Sequence, residues 1–515
     1  MSRVAGDERR IEISLDVPAH IPFAVVRTAQ EAVHRFAAIL VEAIQRPFLS
    51  PGSFQRWELD LHTLIPRECI DPVTGAMILA ALKMDEIKAK AASILSSAPN
   101  LKLQHGRQRV SLNLLGGGKV TVQTPYYLNR PPSRRGPKRK PGQRGKAGNG
   151  MYPELAPLGI HERLTPAFAS VVAREFVRGS LDEVQDALRR RGVERDRKAI
   201  SRIVRVLGKR ALRYQAVQME AGDERQKAGW DLSGKRIGIF VDGGRIRTRV
   251  KKRGRKRKSG GKSYGTDWRE PRVLVVCELD KAGRKKRLGY LRYDATIADA
   301  DGTFSRLASL LREVDARNAD LWVIGGDGAE WIWNRTARLA EELGYDEDKV
   351  VEVVDYWHAT EYLTEFTTHL PAWTEAEKKS WISRMTQFLR KGNIEGITED
   401  METCLKGPKS KRSNRSKMKT IIQRFQTNAH RMRYGELKKR RLPRGSGVVE
   451  SAVRRIINLR AKGAGMFWRE EMAEIVIHLR AQYLSGHWED YLAEVLQPEM
   501  AWVPNTAWDQ ELRAA

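Results

Sequence analysis

Two apolar segments near the middle of the chain end in the same way, on an aspartate that is followed by glycine. The first runs from Ile237 to Asp242 and the second from Leu321 to Asp327. If two such strands lie side by side and parallel, their last side chains emerge at the carboxyl edge of the sheet, where open α/β sheets bind their ligands. The repeated pattern therefore predicts an α/β domain in which both carboxylates share one edge.

A third carboxylate, Glu450, follows the sequence Gly445-Ser446-Gly447. We predict that a helix begins there with Ser446 as its N-cap, so that the helix dipole favours the ionised form of Glu450. Carboxylates from two strands and one helix can hold a pair of Mg²⁺ or Mn²⁺ ions. Each motif alone is more often a turn or a helix cap, but together they favour a metal site built from Asp242, Asp327 and Glu450.

The sequence around these motifs alternates between strand and helix patterns. Strands are predicted at 235–242, 271–279, 286–294, 320–326 and 349–355, with helices at about 301–317 and 330–343. Three strands followed by helix, strand, helix and strand are the element order of an RNase H-like fold. The gap between Asp327 and Glu450 is too long for a bare fold of this kind, so we expect a helical insertion after the last strand.

The chain is strongly basic, with 93 Lys and Arg against 63 Asp and Glu and a net charge of +30. Residues 1–100 are nearly neutral, whereas residues 101–150 hold 12 Lys and Arg and no acidic residue. A second basic stretch at 406–441 holds 14 against the single Glu436. Such stretches are often only solvated tethers, but a charge of this size indicates a nucleic-acid partner held through phosphate contacts.

A helical region at 163–213 resembles a helix-turn-helix. Ser180 and Glu183 form a capping-box pattern, Gly192 ends the first helix, and Asp196 can cap a second helix through Val206. The second helix carries an apolar stripe flanked by basic candidates for DNA contact, namely Arg197, Lys198, Arg202 and Arg205. The alternative is a plain helical connector with a basic face.

These patterns predict a multidomain α/β protein. Its expected parts are an N-terminal helical region (1–100), a β-hairpin and basic linker (101–150), a helix-turn-helix domain (151–215), the first part of an RNase H-like mixed-sheet core (230–365), an all-helical insertion (366–443), and a core helix with a helical tail (444–515). In the N-terminal region, amphipathic helices are predicted at 26–47 and 73–97, the first with a stripe containing Val33 and Phe36.

Neither a disulfide framework nor a zinc site is expected, since Cys69, Cys277 and Cys404 lie far apart. No apolar run is long enough to span a bilayer, and no signal peptide is recognisable at the N-terminus. The sequence therefore predicts a soluble, cytoplasmic, nucleoid-associated protein without a membrane partner.

Three sequence blocks resemble those of bacterial insertion-sequence DDE transposases of the ISKra type. They are Val354–Leu363, Gly445–Ser451 and Leu459–Trp468, within a similarity that covers roughly residues 100–490. The resemblance implies that Asp242, Asp327 and Glu450 form a catalytic triad on an RNase H-like core with an all-helical insertion. It also relates Asp355 and His358 to a C/D-x-x-H element that follows strand five in related transposases.

The resemblance implies an enzyme that binds the terminal inverted repeats of its own element and uses two Mg²⁺ ions, or Mn²⁺, for strand cleavage and strand transfer into target DNA. A homo-oligomer in a synaptic complex is expected from that task. The basic stretches supply further DNA-contact candidates, namely Lys256, Arg257, Lys411 and Arg412. Alternatives are a nuclease without joining activity and a non-catalytic DNA-binding repressor.

Asp355 is the one rival to Asp327 as second ligand, because it too ends an apolar strand. His358 is either a structural hydrogen-bonded residue or a residue that supports the site and positions DNA, and we do not assign it as general base.

Overall fold

The computed structural model of the protein describes residues 14, 16–45, 51–129, 150–161, 163–224, 229–251, 264–406, 412–463 and 465–497. The described residues fall into two compact units. Unit 1 lies within Met1–Glu175, Ser180–Val204 and Leu496–Trp502, and unit 2 lies within Phe176–Gly179, Arg205–Val495 and Val503–Ala515.

The α-helices, in chain order, are α1 Phe23–Ile44, α2 Pro51–Ile65, α3 Asp71–Ala81, α4 Asp85–Ser96, α5 Pro166–Arg178, α6 Leu181–Arg189, α7 Arg197–Glu220, α8 Ala300–Glu313, α9 Glu330–Trp333, α10 Thr336–Glu342, α11 Tyr356–Thr368, α12 Glu375–Lys391, α13 Ile394–Lys406, α14 Arg412–Thr427, α15 Tyr434–Lys439, α16 Gly447–Val453, α17 Leu459–Ala461, α18 Glu470–Leu484 and α19 Trp488–Val495. The strands are β1 Leu101–Asn113, β2 Lys119–Asn129, β3 Gly150–Met151, β4 Arg236–Gly243, β5 Ile246–Lys251, β6 Tyr264–Arg269, β7 Arg272–Leu279, β8 Leu291–Thr296, β9 Leu321–Gly326 and β10 Val350–Val354. Among the residues described, no helix is long and apolar enough to cross a membrane.

Unit 1 contains helices α1–α4 and the sheet β1-β2-β3. The predicted hairpin is confirmed, with Val110 opposite Val122 in an antiparallel pair. Asp71, which sequence reasoning did not single out, fixes the turn by accepting hydrogen bonds from the amides of Gly116 (3.1 Å) and Gly118 (2.7 Å). A carboxylate from a distant helix thus satisfies turn amides that the strands leave unpaired.

The helix predictions for the N-terminal region were partly wrong. The single helix predicted at 73–97 is interrupted before Asp85, and α2 was not predicted. On α1, Val33 and Phe36 are exposed, whereas Ala32, Ile39 and Ala43 are buried. Periodicity indicates that a helix is amphipathic, but the packing partners decide which of its apolar residues are buried.

The three helices α5–α7 follow the predicted pattern in part. Ser180 and Glu183 form a complete capping box at the start of α6, and the Asp196 carboxylate accepts a hydrogen bond from the amide of Ala199 in α7. However, α7 continues to Glu220, well past the predicted end. The connection over residues 190–196 is also longer than the turn of about three or four residues in a helix-turn-helix.

Unit 2 is a mixed α/β unit built on a five-stranded sheet in the order β10-β9-β4-β7-β8. The central strand β4 pairs parallel with β9 and antiparallel with β7. Its residues Ile237, Ile239, Phe240 and Val241 are all buried, because both faces of the sheet are covered. The predicted α/β class is confirmed, and the predicted strands agree with the sheet except that β8 begins five residues later than expected.

A two-stranded ribbon, β5–β6, follows directly after β4 and was missed from the sequence. No strand is predicted from the sequence between residues 242 and 271. Strands β5 and β6 pair antiparallel from Ile246 opposite Arg269 to Lys251 opposite Tyr264. The strand pattern is present in the sequence, because Arg247 and Arg249 alternate with Ile246, Thr248 and Val250 at the period of two that is typical of a strand.

Helices α11–α15 occupy the segment between β10 and α16, where a helical insertion was expected. Their core includes the stacked rings of Phe366 and Trp381, whose centroids are 5.3 Å apart. Much of the basic stretch at 406–441 is helical rather than an open tether, since α14 buries Met418, Ile421 and Phe425. The apolar residues between the basic ones supply this buried face.

Candidate active site

The strand register brings three aspartates to one edge of the five-stranded sheet. The parallel β4–β9 pairing ends with Phe240 and Gly325. Asp242 follows two positions later in β4, and Asp327 follows two positions later just beyond the end of β9, so both lie at the same edge of the sheet. The pairing of Val354 with Gly326 places Asp355 beside Asp327 in the same way. The edge that the sequence predicted for two carboxylates therefore carries three.

Asp242 is a partly buried carboxyl group with few partners. Its Oδ1 accepts a hydrogen bond from the amide of Gly243 at 2.7 Å. Burial raises the pKa of Asp242 to about 6, and the negative charges of Asp327 and Asp355 act in the same direction. Ionisation of Asp242 is thus disfavoured by its burial and by two neighbouring carboxylates. A carboxylate with a pKa perturbed in this way is typical of ligand-binding and catalytic sites.

Asp327 lies in the turn that follows β9. Its Oδ1 accepts a hydrogen bond from the amide of Ala329 at 3.0 Å, and its backbone carbonyl accepts one from the hydroxyl of Tyr362 at 2.9 Å. Sequence reasoning missed Tyr362, which belongs to α11 and holds the turn from the side of the helical insertion. The left-handed backbone of Gly328, with φ of 91°, lets the chain reverse immediately after the carboxylate.

Asp355 is buried and fully engaged. Its Oδ1 accepts hydrogen bonds from the amides of Trp357 (2.7 Å) and His358 (3.0 Å), which caps α11. Its Oδ2 accepts hydrogen bonds from the amide and the hydroxyl of Ser446. Burial opposes ionisation, but the hydrogen bonds from His358 and Ser446 outweigh it and hold the pKa of Asp355 below its usual range.

Asp355 therefore joins the two ends of the helical insertion. Beside it, the amide of Tyr356 donates to the carbonyl of Arg444 at 3.0 Å. The chain leaves β10 and returns to α16 at this single point. Because both carboxylate oxygens are already occupied, Asp355 acts as a structural clamp, and Asp327 is the better-placed open carboxylate.

His358 faces this acidic edge. Its Nδ1 lies 3.6 Å from Oδ1 of Asp355. The interaction with Asp355 raises the pKa of His358 to about 9, with smaller contributions from Asp242 and Asp327. The imidazole is therefore protonated at neutral pH and places a positive charge beside the carboxylates.

Glu450 lies on α16, which packs against β4 and β7. The helix is anchored by the buried side chains of Val449, Ala452 and Val453, while Glu450 itself is exposed. The expected cap differs in detail, since the Ser446 hydroxyl donates to Asp355 at 2.7 Å and makes no capping bond to α16. Glu450 as third member of the site stays a prediction.

The carboxylates fit a divalent cation chemically. Asp242 and Asp327 each use Oδ1 for one backbone amide, which leaves Oδ2 available for a hard cation. A bound cation would also offset the burial and the neighbouring negative charges that raise the pKa of Asp242. Within the described residues, no three His, Cys, Asp or Glu side chains are close enough together to hold one metal ion.

The predicted DNA contacts are only partly described. Arg197, Lys198, Arg202 and Arg205 are exposed on α7, opposite the buried residues Ile200, Ile203 and Val204. Arg197 forms an ion pair with Asp182. Lys256, Arg257 and Lys411 lie outside the described residues, and Arg412 begins α14.

The chain matches no model of a known protein family, and it matches no curated protein. The resemblance to ISKra-type transposases therefore rests on the three sequence blocks, and the chemistry of the site rests on its geometry.

Proposed function

We propose that this protein is a DNA transposase that cleaves and joins strands at an RNase H-like active site. The observation that carries the proposal is the parallel pairing of β4 and β9, which ends two residues before Asp242 and Asp327 and so brings both to one edge of the sheet. The order β10-β9-β4-β7-β8, with β7 alone antiparallel to its neighbours, supports an RNase H-like core. The net charge of +30 supports a DNA partner.

In this proposal Asp242, Asp327 and Glu450 hold two Mg²⁺ or Mn²⁺ ions. The bound ions would supply charge stabilisation and activation of the attacking oxygen in an in-line displacement. The protein contributes the geometry, because two adjacent strands fix Asp242 and Asp327 and the Asp355–Ser446 clamp fixes the start of α16. His358 supplies a positive charge that limits repulsion among the carboxylates when no metal ion is bound.

DNA binding in this proposal uses α7 to contact the ends of the element and the basic stretches to contact phosphates. The ends are terminal inverted repeats, and cleavage of two ends together requires a homo-oligomer in a synaptic complex.

A strand-transfer assay tests the proposal. Purified protein is incubated with Mg²⁺ and duplexes that carry the inverted repeats flanking its reading frame, either intact or pre-cut. We expect nicking of the intact ends and joining of the pre-cut ends to a target plasmid, both abolished by Asp242→Asn and by Asp327→Asn. Asp301→Asn makes the same chemical change at an exposed carboxylate paired with Arg335, so it serves as the matched control and should leave both reactions intact.

The outcomes distinguish the alternatives. Cleavage without joining would indicate a nuclease, and binding of the ends with neither reaction would indicate a repressor. Full cleavage by Asp327→Asn together with loss of cleavage by Asp355→Asn would move the second ligand to Asp355.

A further inference from the structure

The ribbon β5–β6 presents a row of alternating arginine and aromatic side chains on one face. Arg245 lies over the ring of Trp268 at 5.3 Å from its centroid, and Arg247 lies between Trp268 (5.7 Å) and Phe467 (5.0 Å). Arg249 lies over Tyr264 at 4.7 Å. We call this row the Arg–aromatic ladder, and its members are Arg245, Trp268, Arg247, Phe467, Tyr264 and Arg249.

The ladder is accessible and positively charged. Trp268 is 48% exposed, and Arg245 and Arg249 are exposed as well. Across the described part of the chain, no carboxylate forms an ion pair with Arg245, Arg247 or Arg249. Trp268 therefore presents its exposed part beside two guanidinium groups that have no acidic partner among the described residues, so both the ring and the positive charge are accessible to a ligand.

The ladder is held on a firm support. The side chains of Ile246 and Thr248, which point to the other face of β5, are buried. The segment that carries Phe467 is joined to β5 by two backbone hydrogen bonds, from Trp468 to Arg247 (3.0 Å) and from Arg249 to Trp468 (2.7 Å). The backbone that carries Arg247, Arg249 and Phe467 is therefore held in place without a ligand, which lowers the entropy cost of binding.

We infer that the Arg–aromatic ladder binds an unpaired DNA strand. Nucleobases stack on exposed aromatic rings and on guanidinium planes, while the same guanidinium groups contact the phosphates between the bases. A paired base has no free face for such stacking, so duplex DNA would gain only the phosphate contacts. The alternation of rings and cations thus matches the alternation of bases and phosphates along one strand.

The Arg–aromatic ladder lies close in sequence to Asp242, a residue of the proposed active site. Arg245 follows Asp242 by three residues, and β5 begins immediately after the turn that closes β4. The inference therefore rests on the proposed function, in which a strand is separated and cut beside Asp242. The ladder would hold nucleotides that have left the duplex near the cut.

Fluorescence anisotropy of a labelled oligothymidylate tests the inference. A strand of about 12 nucleotides suits a stacking site of this size. The full-length protein is titrated in EDTA, so that no cleavage occurs. For Trp268→Ala we expect an affinity for the oligothymidylate about 5- to 100-fold weaker than for the wild type, and a much smaller change for a blunt duplex of equal length.

Two further variants separate stacking from folding and from charge. Trp230→Ala removes another exposed tryptophan, which packs against Tyr290 at 5.5 Å, and should leave the affinity unchanged. Arg245→Lys keeps the charge but loses the planar group, so it should weaken single-strand binding more than duplex binding. It also provides a readout if Trp268→Ala fails to fold.

The inference is overturned if Trp268→Ala and Arg245→Lys, both folded by circular dichroism, bind the oligothymidylate as tightly as the wild type. Equal losses for single strand and duplex would also overturn it, because they would indicate a charge effect alone. These affinities do not depend on catalysis, since EDTA removes the metal ions. Failure of the inference therefore leaves a normal strand-transfer reaction, whereas failure of the proposed function removes that reaction and leaves the binding data standing.

Discussion

Unit 2 contains two groups of carboxylates, one fully buried and one partly buried, whose surroundings affect their charge in opposite ways. Asp294 on β8 and Glu474 on α18 are buried beside Arg306 and His478: Arg306 lies 2.6 Å from Glu474, and Nδ1 of His478 lies 2.7 Å from Asp294. At the sheet edge, Asp242 and Asp327 have one backbone amide each and share a single imidazole with Asp355.

The number of positively charged neighbours distinguishes carboxylates that stabilise the fold from carboxylates that can bind a ligand. Burial opposes ionisation of Asp294, but His478 and Arg306 hold its pKa below the usual value. At Asp242 burial prevails and the pKa rises to about 6. Carboxylates with too few positively charged side chains beside them can bind a cation from solution. Carboxylates that are paired with buried positive charge instead hold secondary-structure elements together.

The largest effect is expected for Asp242→Asn. Loss of one ligand at a metal site removes several kcal/mol of transition-state stabilisation, so Mg²⁺-dependent nicking should fall by about 1000-fold. The same substitution should raise the free energy of unfolding at neutral pH. Because the folded pKa of about 6 lies above the usual 3.8, the ionised carboxylate destabilises the native state at neutral pH.

Urea unfolding in EDTA checks the second half of this prediction. The Asn variant should be more stable than the wild type at pH 7, and the difference should shrink as the pH falls from about 6 towards 3.8. A variant that loses stability at pH 7 would place Asp242 among the structural carboxylates instead.

In the buried group of Asp294 and Glu474, Arg306→Met should lower the free energy of unfolding by about 3–5 kcal/mol. The substitution leaves both carboxylates buried without the arginine that contacts them. The exposed pair of Arg384 with Asp400 offers a control, and Arg384→Met should cost less than about 1 kcal/mol. Thermal unfolding of both variants measures the difference. Similar losses would show that burial does not distinguish the two pairs.

An intermediate effect is expected at the clamp. In Asp355→Asn, an amide NH₂ group that can only donate hydrogen bonds replaces one carboxylate oxygen that accepts them. Placed opposite Ser446, it would meet the Ser446 amide, which is also a donor, so we expect the free energy of unfolding to fall by about 2 kcal/mol. Asp346→Asn changes an exposed cap that receives one hydrogen bond from Asp348 and should cost less than about 0.5 kcal/mol. Urea unfolding at pH 7 compares the two, and equal losses would contradict the clamp.

The smallest effect concerns His358. Its folded pKa of about 9 lies above the usual 6.5, so its contribution to stability is complete below about pH 6.5 and is lost as the pH rises through about 9. The free energy of unfolding of wild type and His358→Gln in EDTA should differ by roughly 1 kcal/mol at pH 6 and converge near pH 10. A difference that is constant with pH would mean that packing, not charge, stabilises this residue.

Local patterns in the sequence were sufficient to find the five strands of the large sheet and the two aspartates at the ends of β4 and β9, although they missed the ribbon β5–β6. The runs that end on Asp242 and Asp327 predicted adjacent carboxylates, and the β4–β9 register agrees. Partners that come from distant segments were not predictable. Ser446 bonds to Asp355 across 91 positions, and Arg306 bonds to Glu474 across 168, so no local periodicity signals either contact.

Local sequence was enough to place aspartates at the strand ends of a basic, mixed α/β chain, because side-chain alternation and strand-ending glycines act over a few residues. Which of those carboxylates remain open depended on the tertiary fold. Asp327 and Asp355 both end apolar strands, but Ser446 reaches Asp355 alone and occupies it. The tertiary fold also decided the surroundings of the arginines in the ribbon β5–β6. They lie next to aromatic rings because strand pairing and the distant segment that carries Phe467 bring those rings to them. The physical reason is that hydrogen bonds and stacking depend on distance in space, which local sequence does not specify.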